Sequence, residues 1–315
     1  MSCRHAPSRR GARRPAVPPL RALLAALSTA LLVGSTAVAQ VTLETLDLTG
    51  PVAAVEEYRE YPDTTDRQLL QTWTFGEDGV ATERVFFTYS FRDGSLSGRQ
   101  ATSYDAGQPL ATVVYDADDE PTGQTVYRYD GEGRLSEQVT VNAEGVETAR
   151  TEYERDAAGN VVRETWYRDG AVRRSYERGY DADGGLIEER AFDDEGRLYE
   201  VESYTVPDLE HDYVRYDEEG EVEATGRVIE NELGTVLLEQ LAPDGTVSES
   251  YEFVYDEAGR VIERRSVYGE GNYDELLTYA YEDDERGNWI RRVTTEDLGN
   301  GAETYEIRDR TIRYR

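Results

Sequence analysis

Tyr129-Asp130-Gly131-Glu132-Gly133-Arg134-Leu135 is the stretch that decides the fold. It returns as Tyr180-Asp181-Ala182-Asp183-Gly184, as Tyr216-Asp217-Glu218-Glu219-Gly220 and as Tyr255-Asp256-Glu257-Ala258-Gly259-Arg260-Val261. Asp opens each turn because its carboxylate can accept from backbone N–H groups two residues on. Gly closes it because that position wants a positive φ, which glycine adopts at no steric cost. A type I turn followed by a left-handed glycine is a common hairpin connection. Looser copies fill the intervals, among them Asn142-Ala143-Glu144-Gly145, Asp156-Ala157-Ala158-Gly159, Asp193-Asp194-Glu195-Gly196 and Pro243-Asp244-Gly245. Successive glycines from Gly133 to Gly196 are 12, 14, 11, 14 and 12 residues apart, and those from Gly234 to Gly271 are 11, 14 and 12 apart. Two such steps make a hairpin unit of about 25 residues, within the range of repeat architectures. Asp130, Gly133, Asp156, Gly159, Asp181, Gly184, Asp217, Gly220, Asp256 and Gly259 are thereby assigned structural turn roles.

Between the turns the chain alternates with period two. Tyr251, Phe253 and Tyr255 share a face, as do Tyr127 with Tyr129 and Tyr279 with Tyr281; on outgoing strands Leu135 aligns with Val139 and Val141, and Leu198 with Tyr204 and Val206. Strands of roughly 5–8 residues bounded by turn signals predict an all-β fold. Contacts between sequence neighbours make it an antiparallel up-and-down meander of repeated hairpins, forming one long, twisted or curled sheet. No sustained helical period occurs after residue 39.

Residues 1–39 read as a secretory signal peptide. Arg4, Arg9, Arg10, Arg13, Arg14 and Arg21 precede the apolar run Leu23 to Val38, and Ala37-Val38-Ala39 is a small-residue cleavage site leaving Gln40 first. Residues 40–315 then form a single β domain, secreted or periplasmic, with no membrane span after leader cleavage. The only cysteine, Cys3, lies in the leader, so disulfides play no part in this domain. All 34 basic residues are Arg; with six of them in an acid-free leader, residues 40–315 carry 28 Arg against 65 acids, a formal charge of −37. Such a surface repels nucleic acid and anionic lipid. Carboxylates on neighbouring strands, such as Glu188 and Glu189 beside Glu200 and Glu202, should repel one another.

The Tyr-Asp-x-x-Gly-Arg-Leu/Val signature followed by a charged, Tyr-containing strand resembles the YD (RHS) repeat, with clear copies between about Tyr104 and Trp289. The flanks are similar to those of small secreted bacterial proteins of this type. Leu48-Thr49-Gly50-Pro51-Val52-Ala53-Ala54-Val55 echoes their start, and Asp284-Glu285-Arg286-Gly287-Asn288-Trp289-Ile290 with Ile307 to Tyr314 echoes their end. The resemblance implies hairpins paired into a long curling sheet, which in large members forms a hollow shell around a C-terminal effector. This chain has too few repeats for a large shell and no effector segment. The small members supply no catalytic residues to carry over.

The residues themselves point to no chemistry. His211, the one histidine after the leader, falls in Pro207-Asp208-Leu209-Glu210-His211-Asp212, which reads as a loop. No Gly-x-Ser-x-Gly, His-Glu-x-x-His or Cys-x-x-Cys spacing occurs, so the expectation is no catalytic, cofactor-binding or metal residue, no cofactor and no enzyme. Asp116-Ala117-Asp118-Asp119-Glu120 and Asp181-Ala182-Asp183-Gly184 offer oxygen ligands, yet neither completes a calcium-binding loop. An outer-membrane barrel needs an uncharged lipid-facing band; here Glu188 and Arg190 share a face with Leu186 and Phe192, and Glu263 and Arg265 with Val261 and Val267. The expected function is a non-enzymatic envelope structural or interaction module. Two alternatives stand beside it, a carbohydrate-binding module using exposed Tyr and a reduced relative of RHS toxin shells. The partner is unspecified, a glycan or an envelope protein, and not nucleic acid.

Overall fold

In the turn that opens at Asp130, the backbone N–H of Gly133 donates to Asp130 O at 3.1 Å and that of Asp130 donates to Arg134 O at 2.8 Å. Asp130 Oδ1 accepts from the N–H groups of Glu132 and Arg134, each at 2.9 Å, and Gly133 sits at φ 77°. The arrangement recurs along the computed structural model, which describes residues 40–315 apart from 63–66, 91, 206–209, 218–219, 232, 269–272 and 300. The leader and its cleavage site lie outside the described residues.

The turns separate twenty strands. They are β1 Val52–Glu60, β2 Gln68–Phe75, β3 Ala81–Tyr89, β4 Leu96–Asp105, β5 Gln108–Asp116, β6 Pro121–Tyr129, β7 Leu135–Asn142, β8 Glu147–Arg155, β9 Val161–Arg168 and β10 Ala171–Tyr180. There follow β11 Leu186–Phe192, β12 Leu198–Thr205, β13 Glu210–Tyr216, β14 Val222–Asn231, β15 Gly234–Leu241, β16 Val247–Tyr255, β17 Val261–Tyr268, β18 Tyr273–Asp283, β19 Trp289–Asp297 and β20 Glu303–Tyr314. Each pairs antiparallel with the next, as the alternation predicts. The expectation of a long twisted or curled sheet needs correction, because β20 also pairs with β1, Val55 facing Ile312 and Glu57 facing Arg310. The meander is a closed barrel. Twenty strands about 4.8 Å apart and tilted by about 40° enclose a ring roughly 40 Å across, and no strand contacts any but its two neighbours.

Closure distinguishes two faces. Cross-strand register places Val55, Trp73, Tyr213, Val228, Leu238 and Tyr251 on one face, and nearly all buried side chains lie there. With no second layer to cover either face, this burial comes from curvature, which crowds side chains on the concave side. That face is the inner wall. The outer face keeps the charges anticipated from sequence, Glu188 and Arg190 on β11 and Glu263 and Arg265 on β17.

Every hairpin except β12–β13 and β17–β18 carries a β-bulge that shifts register by one. Arg128 faces Glu137, but Tyr129 faces Leu135. The predicted alignment of Leu135 with Val139 and Val141 therefore fails: Leu135 is opposite inward Tyr129, whereas Val139 is opposite outward Val126. Leu198 and Tyr204 part in the same way, at the bulge between Ala191 and Phe192, and Leu186 and Val261, opposite inward Tyr180 and Tyr255, leave the face of Glu188 and Glu263; Val206 lies outside the described residues.

The hairpins alternate between two rims. One, the Asp130 rim, carries β6–β7 and every second hairpin on either side; the other, the Asp193 rim, carries the remainder. At the Asp130 rim the residue before the turn, or in the β18–β19 hairpin the residue three before Asp284, reaches back to a backbone carbonyl 19 or 20 residues upstream. Tyr129 donates to Pro109 O at 2.7 Å, Tyr180 to Val161 O at 2.9 Å, Tyr255 to Thr235 O at 2.7 Å and Tyr281 to Val261 O at 3.1 Å. Arg155 takes the same place, donating to Leu135 O at 2.8 Å.

The seam has its own fastening. Val41 and Leu43 donate backbone N–H groups to Gly107 O and Gly79 O, each at 3.0 Å, and Leu48 packs with Val52, Val55, Trp73, Phe75 and Ala81. The strap then meets the β18–β19 hairpin. Asn288, fully buried, accepts from Thr49 N at 2.6 Å and donates to Thr49 O at 3.0 Å and to the Tyr314 hydroxyl at 2.6 Å. Tyr314 donates in turn to Asp284. Below, Glu57 is buried between Arg308 at 3.2 Å and Arg310 at 3.3 Å. Burial works to raise its pKa, but the two arginines hold it below the usual carboxylate range.

Candidate functional site on the inner wall

The ten turn residues assigned from sequence stand at hairpins of both rims and converge on no common site. Asp130, Asp156, Asp181, Asp217 and Asp256 each accept backbone N–H groups through Oδ1. Gly133, Gly159, Gly184, Gly220 and Gly259 lie at φ 77°, 97°, 88°, 85° and 77°. The backbone N–H of Arg134, foremost, holds the Asp130 carboxyl down to about 2. Asp116 and Asp181, the leading members of the two oxygen-rich loops, are occupied in the same manner. Among the described residues no group of three or more His, Cys, Asp or Glu side chains is placed to hold a metal ion. His211 lies in β13, opposite Tyr204 and Val228, rather than in a loop.

A dense polar assembly lies on the inner wall between β9 and β13. Arg178 on β10 is buried between Glu164 on β9, at 3.1 Å, and Glu189 on β11, at 2.5 Å. Glu189 faces Glu202 on β12, and Ala191 faces Glu200. Arg215 on β13 reaches Glu200 at 3.4 Å. Glu202 has the Tyr204 hydroxyl donating to it at 2.6 Å. Burial pushes its carboxyl up to about 7; Glu189 and Glu200 add to the shift, while the Tyr204 hydrogen bond and Arg178 oppose it. Glu200 is raised by burial too, against the pull of Arg215. Tyr213 completes the far side and lies over Gly226, where an added Cβ would overlap its ring.

Beside this cluster, Trp166 on β9 faces Arg174 on β10. The wall can thus hold and release a proton near neutrality at Glu202, and it offers aromatic and cationic surface to the interior. The repulsion expected between Glu189 and Glu202 is present as a cross-strand pair, and Arg178 offsets it. Sequence reading missed Arg178 and Trp166. The register was available from the turn at Asp193 to Gly196, which puts residues 189 and 202 opposite one another once the bulge is allowed for.

None of the known protein families matches the chain, and no curated protein does. Among solved structures it is similar to a porin-like protein from Bacteroides uniformis at 12% identity, covering 84% of this chain and 99% of that one with a TM-score of 0.40. A porin-like protein from Bacteroides vulgatus is 8% identical over 84% and 99%, with a TM-score of 0.27. A chain of the TcdB2-TccC3-Cdc42 complex is 12% identical over 75% of this chain and 19% of that one, with a TM-score of 0.19. Likenesses this distant carry no argument about what the barrel does.

Proposed function

We propose that the chain is a non-enzymatic, exported scaffold of the cell envelope, a hollow ring whose walls serve for interaction. The observation that carries this reading is the inner wall itself. Many of its buried charges are held in cross-strand pairs such as Glu164–Arg178–Glu189, and the outer face has mid-strand charges where a lipid-facing band would need apolar residues. Export follows from the Arg-rich leader and Ala37-Val38-Ala39. Kinship with the small YD-repeat proteins is supported by the recurring turn, in which Tyr129, Tyr180 and Tyr255 bond backbone carbonyls through their hydroxyls. Those bonds weigh against sugar binding through the motif tyrosines, since their hydroxyls are engaged.

The test is fractionation with site-specific photocrosslinking from the outer face. Intact mass should begin at Gln40 in the exported fraction, and one defined envelope partner should crosslink at Glu263 or Arg190. A cytosolic chain that retains its leader, or turnover of any substrate in a broad hydrolase panel, would overturn the proposal.

A further inference from the structure

The chain has three tryptophans, and two of them are spent on packing. Trp73 is buried in the strap cluster. Trp289 lies under the Arg310 guanidinium, 3.5 Å from the ring centre, with Tyr281 against its edge. Trp166 differs, being 42% exposed on the inner wall. Isolated exposed apolar residues are ordinary, but this one is held in place. Its Nε1–H donates to Glu164 at 2.5 Å, and the Tyr176 ring meets it edge-on at 6.0 Å. A rigid indole open to the interior is presented rather than packed.

Its cross-strand partner has the same character. The Arg174 guanidinium is 5.6 Å from the Trp166 ring and 5.7 Å from the Tyr199 ring, and donates to the Tyr176 hydroxyl at 3.0 Å. Among the described residues Arg174 makes no ion pair, although Arg178, two inward positions along the same strand, has two. In a domain of formal charge −37, an exposed arginine that no carboxylate contacts, Glu200 acting on it only from a distance, is a place where an anion can be received.

We propose that Trp166 and Arg174 form a binding site on the inner wall for a saccharide unit that carries a carboxylate. The apolar face of a pyranose ring stacks on the indole, as sugars do on aromatic surfaces that pair an apolar body with polar edges. The carboxylate takes the free N–H donors of Arg174, whose planar fork suits it. Glu164, Tyr176 and Tyr199 surround the platform with groups for the ring hydroxyls. The carboxylates elsewhere on the wall repel a densely charged polyanion, so the site selects an isolated uronate or a chain end. This site is independent of the scaffold reading and stands or falls without it.

The experiment is a titration of residues 40–315 with galacturonic acid, galactose and benzoic acid, read by ligand-observed NMR. Both side chains are exposed, so Trp166→Ala and Arg174→Gln should fold, and Trp166→Phe keeps a ring if the alanine variant does not. Galacturonate should bind, with galactose and benzoate each at least about tenfold weaker. Arg174→Gln should erase the advantage of galacturonate over galactose, and Trp166→Ala should weaken both sugars. Benzoate binding as well as galacturonate would overturn the proposal, because the hydroxyls would then contribute nothing. Galacturonate binding that is absent, or unaltered in every variant, would overturn it as well.

Discussion

The two rims are built from the same turn and use it oppositely. At the Asp130 rim the positions flanking the turn point inward: Leu135 and Val161, which follow it, are 8% and 4% exposed. At the Asp193 rim the equivalent positions point outward, and Leu96, Val222 and Val247 are 40%, 44% and 38% exposed. The chain turns one way around the ring, so hairpins at opposite ends bend in opposite senses when seen from outside. A turn of fixed handedness must then present its flanks to opposite faces. A repeat motif therefore does not mean a repeated environment.

The largest expected effect comes where the Asp130 rim also carries the seam. Asn288→Ala removes a fully buried amide that joins Thr49 to Tyr314, and should cost roughly 2–4 kcal/mol in denaturant unfolding. Asn160, at the matching place in the β8–β9 hairpin, bonds only its own turn through Asp156, and its alanine variant should lose about 0.5–1 kcal/mol. Equal losses would mean that the seam is not specially fastened.

A second pair tests the rims directly. Val161→Ala should destabilise by about 1.5–3 kcal/mol, as a buried side chain losing two methyl groups. Val247→Ala should stay within about 0.5 kcal/mol. Comparable values would contradict the assignment of inner and outer faces.

The turns themselves should not distinguish the rims. Gly259 at one and Gly245 at the other have φ 77° and 84°, so valine at either should cost roughly 1–3 kcal/mol as local strain. Asparagine should cost less, since it tolerates the left-handed region. Thermal melts of the four variants check this, and a rim-dependent valine penalty would show that packing, not φ, governs these sites.

The smallest effect sets both rims against the wall between them. Asp130, Asp193 and Asp256 have lowered pKa values, so their contribution to stability is present at neutral pH and is lost as pH falls through the folded values. Glu202 is raised, to about 7. Its folded form holds the proton more tightly than the unfolded chain, so its contribution is present below about pH 4.5 and fades as pH rises toward 7. The melting temperature should therefore peak in mildly acidic buffer, and Glu202→Gln should flatten the decline between pH 5 and 8. A decline of unchanged slope would remove Glu202 as its source.

Turns and strands were legible in the sequence because they are local. An Asp that accepts from residues two and four ahead, and a Gly at positive φ, need nothing from the rest of the chain. Closure was not legible. It joins residues some 250 positions apart, as in the Glu57–Arg308 pair, and depends on tilt summed over twenty strands. The flanking segments around Leu48, Asn288 and Tyr314 stood out as terminal motifs, and only the fold shows that the three meet. The bulges escaped strict alternation by inserting one residue beside nearly every turn. Arg178 and Trp166 resemble every other charged or aromatic strand residue until register supplies their neighbours.

Pairing β20 with β1 has a further consequence. A flat antiparallel sheet ends in two strands whose N–H and C=O groups face nothing, and such edges recruit strands from other molecules. This barrel has none, which protects a chain made almost wholly of β-structure from adding copies of itself. The guard is concentrated at the strap and Asn288. A molecule that lost them would uncover β1 and β20 together, one edge ready to accept the other from a neighbouring chain, and its first symptom would be domain-swapped chains or fibres.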